Sequence, residues 1–323
     1  MTECNLYDTE KCLSNETKTI SAELKRNTDM KKGLILLVVI AITFSGCTEK
    51  TDPGGVDDPT GNNGLIINHL TDKIASIPND YILIAKQTLH IAYGHTSHGS
   101  QITEGMTGLA SFKGVQYSWN NGGTDGALDL HDYAMPGDLG NPDRTAWATQ
   151  TRNYLATHTD VNVIMWSWCG QVSTATESDI ASYLSLMSDL ESSYSGVKFV
   201  YMTGHLDGTG LTGNLHLRND QIREYCKTHG KILYDFEDIE SYNPDGVYFG
   251  EKKPDDACAY DSNGDGTRDG NWAIEWQNAH ALGTDWYNCS SAHSQPLNAN
   301  QKAYAAWWLW ARLAGWDGKQ VIQ

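Results

Sequence analysis

The feature that most constrains this chain is an alternation of short apolar runs with longer segments of helical period. The runs are Thr88 to Tyr93 (TLHIAY), Val161 to Trp168 (VNVIMWSW), Val197 to Met202 (VKFVYM) and Lys231 to Phe236 (KILYDF). Between and after them lie Gln101 to Phe112, Glu177 to Tyr194, Leu215 to His229 (closed by Gly230, a residue suited to the left-handed turn after a helix) and Asn298 to Ala314. Leu65 to Ile77 carries apolar residues at 65, 66, 67, 70, 74 and 77 and reads as an opening helix. The runs are too apolar for a sheet with one wet face. They predict a mostly parallel sheet covered on both sides, a three-layer α/β/α sandwich spanning residues 64–323.

In such sheets functional groups gather at the carboxyl ends of the strands. The reactive residues of this chain cluster there. The first run leads into Gly94-His95-Thr96-Ser97-His98, the next into Cys169-Gly170-Gln171, the third into Thr203-Gly204-His205-Leu206-Asp207, and the last into Asp235-Phe236-Glu237-Asp238. A lone His293 precedes the closing helix.

This order of strand, serine, amide and late histidine resembles the SGNH (GDSL-like) hydrolase superfamily, over most of residues 85 to 315. The resemblance implies an SGNH/flavodoxin-like sheet and hydrolysis of an acyl ester. Ser97 would be the nucleophile and His293 its base, because a hydroxyl attacks well only when an imidazole takes its proton. Gly170 and Gln171, the backbone near Ser97 and a loop glycine such as Gly137 or Gly140 would supply oxyanion donors. The chain departs from the family in two places. It lacks Gly-Asp-Ser, and Ser290 stands where the family has an Asp before the base. Asp207, Asp235, Asp238 or Asp285 would then orient His293, or a backbone carbonyl would. His95, His98, His205 and Asp207 would bind substrate or support the turn; alternatively, His95, His98, His205 and His293 would converge on a metal such as zinc, with Asp207 as a further ligand. Structural roles compete for three of these residues: Ser97 as a helix cap, Gln171 as a satisfied strand end, and His293 as a cap of the closing helix.

Asp261-Ser-Asn263-Gly-Asp265-Gly-Thr267-Arg-Asp269 has the spacing of a calcium loop, with side-chain oxygens at positions 1, 3, 5 and 9 and a carbonyl at 7. Trp272 stands at position twelve, so Glu275 is the nearest candidate for a further acidic ligand. This expected calcium-loop insertion spans 258–275, and a structural Ca2+ is the one cofactor expected; no organic cofactor is.

Met30-Lys31-Lys32, the apolar stretch Gly33 to Phe44 and Ser45-Gly46-Cys47 form a signal peptide that resembles the lipobox of bacterial lipoproteins. The resemblance implies cleavage before Cys47, lipid on its sulfur and a membrane-anchored, exported domain. Residues 1–29 read as an extension ahead of the true start at Met30, and residues 47–63 as a Gly/Pro/Asp tether. Export permits disulfides among Cys169, Cys226, Cys258 and Cys289, with Cys258–Cys289 favoured. The net charge of −17 argues against nucleic acid as a partner. The family resemblance and the export signal imply an acylated polysaccharide or a small acyl ester as substrate; the 11 Trp and 16 Tyr suit a sugar-binding cleft, and equally an ordinary core. Two alternatives are a non-catalytic glycan-binding lipoprotein and a metal-dependent hydrolase.

Overall fold

A computed structural model describes residues 64–168 and 170–319. The expectations for the signal segment, Cys47 and the tether fall outside the described residues, as does Cys169. Among the described residues no helix is long and apolar enough to cross a membrane.

The chain opens with β1 (Leu65–Ile67), then α1 (Asn79–Thr88), β2 (His90–Gly94) and α2 (Ser100–Lys113). Two short strands, β3 (Trp119–Asn120) and β4 (Leu128–His131), precede α3 (Ala146–Leu155). Next come β5 (Val163–Trp166), α4 (Gln171–Thr174), α5 (Glu177–Ser193), β6 (Lys198–Met202) and α6 (Asn214–Thr228). The rest comprises β7 (Ile232–Tyr234), α7 (Phe236–Glu240), the pair β8 (Ala259–Tyr260) and β9 (Gly270–Asn271), α8 (Trp272–Ala279) and α9 (Pro296–Leu313). Seven strands form one sheet in the order β1-β7-β6-β5-β2-β4-β3, every pair parallel.

Strand side chains alternate between two cores, as a sheet covered on both faces requires. Ile91, Tyr93, Val163, Met165 and Val200 join the core under α1, α2 and α9. Ala92, Ile164, Trp166, Phe199 and Tyr201 join the core under α3, α5 and α6. The architecture is thus the three-layer α/β/α sandwich. Local chemistry fixes the helix starts. Thr176 and Asp179 form a reciprocal capping box at α5, and Pro296 opens α9, where its missing N–H costs nothing. A Cβ at Gly105 would lie 2.1 Å from the carbonyl oxygen of Ala299, so glycine is what lets α2 and α9 approach this closely.

Leu65 to Ile77 is not a helix. Leu65–Ile67 pairs with β7, and two 3-10 turns follow at His69–Thr71 and Ile74–Ser76. The consecutive apolar residues serve opposite faces of a strand: Ile67 is in one core and Ile66 packs on the other. Asn68 then ends the strand by taking the Leu70 N–H with its side chain.

A satellite core of Phe249, Cys258, Tyr260, Trp272, Ala273, Trp276 and Leu297 lies under the segment between β7 and α9. It carries the antiparallel hairpin β8–β9, whose connection is the Asp261–Asp269 loop.

Candidate active site

The strand order places a crevice by topology. From β2 the chain goes to β3 and β4 on one side, then returns to β5 on the other. Loops leaving β2 and β5 therefore diverge, and the gap between them is the usual ligand position of an open parallel sheet. Ser97 leaves β2 on one flank, and Gly170 and Gln171 leave β5 on the other.

Ser97 is exposed in the turn before α2. Its carbonyl accepts the N–H of Ser100 at 3.2 Å and the Ser100 hydroxyl at 2.7 Å. The residue that caps α2 is Gly99, where a Cβ would lie 2.4 Å from that of His95. His95 is buried, with Nδ1 2.8 Å from the Thr96 carbonyl and Nε2 2.8 Å from Asp132, so its ring is fixed at both nitrogens.

His98 is the centre of the arrangement. Its Nε2 lies 2.8 Å from Asp256 Oδ2. Its ring stacks on His205 at 3.6 Å and 2° and on His293 at 4.4 Å and 15°. Four separate segments thus deliver three imidazoles and a carboxylate to one place. Burial works to raise the Asp256 carboxyl, but the hydrogen bond from His98 and the charges of His98, His205 and His293 outweigh it and hold the group below its usual value.

Each outer histidine is held from both sides. The amide of Asn219 brackets Gly204, accepting its N–H at 2.8 Å and donating to its carbonyl at 3.1 Å. Glu240 accepts the Leu206 N–H at 2.8 Å. His205 Nδ1 meets the Leu206 carbonyl at 2.9 Å, while its buried Nε2 has no hydrogen-bond partner. His293 sits at φ +62, a left-handed conformation that costs a non-glycine residue about 1–3 kcal/mol. Its neighbours hold it there. Glu104 accepts the Ala292 N–H at 2.9 Å, Gln101 donates to the Ala292 carbonyl, and Asn298 donates to Ser294 Oγ at 2.7 Å. One buried cation joins both anchors: Lys302 bonds Gln101 and Glu240 and lies over the Phe236 ring at 3.8 Å. Burial pushes the Lys302 ammonium below its usual value, against the pull of Glu240.

The four acids expected to orient His293 are engaged elsewhere. Asp207 accepts the Thr209 N–H at 2.9 Å, Asp235 pairs with Arg223 at 2.6 Å, Asp238 bonds His69 at 2.6 Å, and Asp285 accepts the Ala281 N–H at 2.8 Å. The carboxylate of this site is Asp256, on no motif and 158 residues from its partner. Glu240, Lys302, Gln101 and Glu104 were equally invisible, because long-range pairing leaves no local period.

Gln171 opens α4 behind Gly170 and donates to Asp138 at 2.7 Å, while its Oε1 is buried without a partner. It lines a cleft of about 350 Å3 with Gly140, Arg144, Gly170 and Thr174. The Gly137 N–H is spent on the Tyr133 hydroxyl at 2.9 Å.

Donor atoms of His98, His205 and Asp256 lie within 4.8 Å of one another, close enough for a metal ion. The ring planes weigh against that use. A metal–imidazole bond lies in the plane of the ring, and two rings stacked at 3.6 Å with planes 2° from parallel keep their lone pairs in separate planes that do not meet at one atom. One ring would have to turn.

In the Asp261–Asp269 loop the expected ligand oxygens hold backbone. Asp261 accepts the N–H groups of Gly264 and Gly266 at 2.7 and 2.8 Å, Asn263 that of Asp265 at 2.9 Å, Asp265 that of Thr267 at 2.8 Å, and Asp269 that of Ser262 at 2.9 Å. Glu275 is committed to the Tyr260 hydroxyl and the Asn271 N–H, at 2.9 Å each, and Trp272 is buried in the satellite core. The expected Cys258–Cys289 bridge is not formed. Cys226, Cys258 and Cys289 are free, and the Cys258 sulfur lies against Ser294 Oγ while Cys289 contacts the start of α9.

No protein-family model matches this chain, and no curated protein matches it.

Proposed function

We propose that the chain is an exported, lipid-anchored hydrolase that cleaves acyl esters, on a glycan or a small molecule, at the carboxyl edge of the sheet. Ser97 is the nucleophile, His293 the base and Asp256 the acid. The observation that carries this reading is Asp256: a carboxylate bonded to His98, whose ring stacks on His293, beside the turn that exposes Ser97. Asp256 stabilises positive charge on the stack when a proton arrives from the nucleophile, the part an acid plays behind a histidine base. Gln171 and the backbone after Ser97 supply donors to the developing oxyanion. The Asp261–Asp269 loop binds calcium and steadies the hairpin that follows Asp256.

The test is a screen of short acyl esters and acetylated glycans. Ser97→Ala and His293→Ala each remove nearly all activity, and the double variant is little worse, because the pair acts as a unit. Asp256→Asn lowers kcat by about a hundredfold and shifts the acidic limb of the pH profile. Full activity in Ser97→Ala overturns the serine mechanism. The proximity of the His98, His205 and Asp256 donors favours one second reading, a metal-dependent hydrolase. Activity lost to chelator and restored by zinc would select it. Glycan binding with no turnover of any ester would instead select a non-catalytic binding protein.

A further inference from the structure

On the face of the sheet covered by α3 there is a second gathering of imidazoles and carboxylates, separate from the histidine stack. His90 of β2 and Asp129 of β4 are register partners, and His131 lies two residues further along β4 on the same face. Asp160 comes from the turn between α3 and β5. Asp129 is 5% exposed, and among the described residues its ion partners are two imidazoles: His90 Nδ1 at 2.7 Å and His131 Nε2 at 3.1 Å. No lysine or arginine of the described residues pairs with it. The donor atoms of His90, Asp129 and Asp160 lie within 4.8 Å of one another.

We propose that His90, Asp129, His131 and Asp160 form a binding site for a divalent transition-metal ion of the zinc type.

Charge balance supports it. Two carboxylates and two neutral imidazoles carry two negative charges, which one divalent cation cancels. Without the ion, the buried carboxylate is held by the two imidazoles and by the Gly122 N–H, which donates to it at 2.7 Å. The donor set is two nitrogens and two oxygens, which suits zinc, cobalt or nickel better than magnesium or calcium. The orienting shell is also in place. The other ring nitrogen of His131 lies 2.6 Å from the Tyr154 hydroxyl, the arrangement that fixes a ligand imidazole by its far side. Tyr154 is itself braced by stacking on His158 at 3.8 Å. The exposed Asp160 carboxylate makes no hydrogen bond or ion pair among the described residues, so it is free to close over an incoming ion.

The full chain, stripped with chelator, is titrated with cobalt(II), followed by its visible ligand-field absorption, and then with zinc in competition. One equivalent binds, and zinc displaces it. Asp160→Asn, at an exposed position that leaves the fold intact, weakens binding at least about tenfold, and His131→Gln does the same. His205→Gln leaves the titration unchanged. A wild-type chain that binds neither ion overturns the proposal. So does binding that survives Asp160→Asn and His131→Gln but is lost in His205→Gln, since the ion would then belong to the histidine stack. Melting curves of each variant verify that the chain is folded. No step reads hydrolysis, so the result stands whatever becomes of the ester-cleaving reading.

Discussion

At the scale of single residues, the site depends on a pair that never touches it. One oxygen of Glu240 holds buried Lys302 and the other holds the amide next to His205; Lys302 also holds Gln101, which anchors the His293 loop. Glu240→Ala leaves an ammonium buried without a counter-charge, and chemical denaturation should show a loss of about 3–5 kcal/mol. Replacing both partners, Glu240→Leu with Lys302→Met, removes the stranded charge and should recover much of that loss. A double variant no more stable than Glu240→Ala would contradict this account of the pair. These residues show where sequence reading stops. His98, His205 and His293 stood out because they follow apolar runs or precede a helix. Nothing in Pro254-Asp255-Asp256-Ala257 distinguishes Asp256 from any acidic turn, since its role is set by a partner far away in the chain.

Among the elements, β2, β5, β6, β7 and the long helices were legible because burial on both sides of a sheet writes continuous apolar runs. β1 was misread because three apolar residues in a row satisfy a helical period as easily as both faces of a strand. β3 escaped because it is an edge strand of only two residues, and β4, which lies between β2 and β3, because it mixes Asp129 and His131 with Leu128 and Leu130. The hairpin β8–β9 is the element on which the site most depends. Arg268 in its loop donates to the Gly208 carbonyl at 2.9 Å, and Asp255 pairs backbone with Asp207, so the hairpin is stapled to the loop that bears His205. Calcium in the Asp261–Asp269 loop would bind only the folded hairpin. Chelation is therefore expected to lower the melting temperature, and Asp265→Ala to abolish that sensitivity. Identical melting curves with calcium and with chelator would remove calcium from the description.

For the whole molecule, acid stability rests on a second buried network between α6 and the end of β7. Burial acts to raise Glu237, but the Arg223 charge and the hydrogen bond from His216 hold it at about 2, well under its ordinary 4.5. A depressed carboxyl contributes stability that is complete above about pH 4.5 and lost as pH falls toward 2, here on the order of 3 kcal/mol. The hydrogen bond that His216 donates to Glu237 raises His216, against burial, so that residue contributes below about pH 6.5 and loses its contribution as pH climbs through the raised value. Urea denaturation of Glu237→Gln against wild type should show the difference at pH 6 and its disappearance near pH 2; a constant difference would refute the assignment. The ends of the sheet have another consequence. It terminates in strands of three and two residues, β1 and β3. Unpaired backbone at such an edge is what lets one copy of a protein template strands onto another. With so little of it on offer, copies crowded together have almost nothing to zip onto, and the long apolar strands that would feed a fibril stay locked in the middle of the sheet.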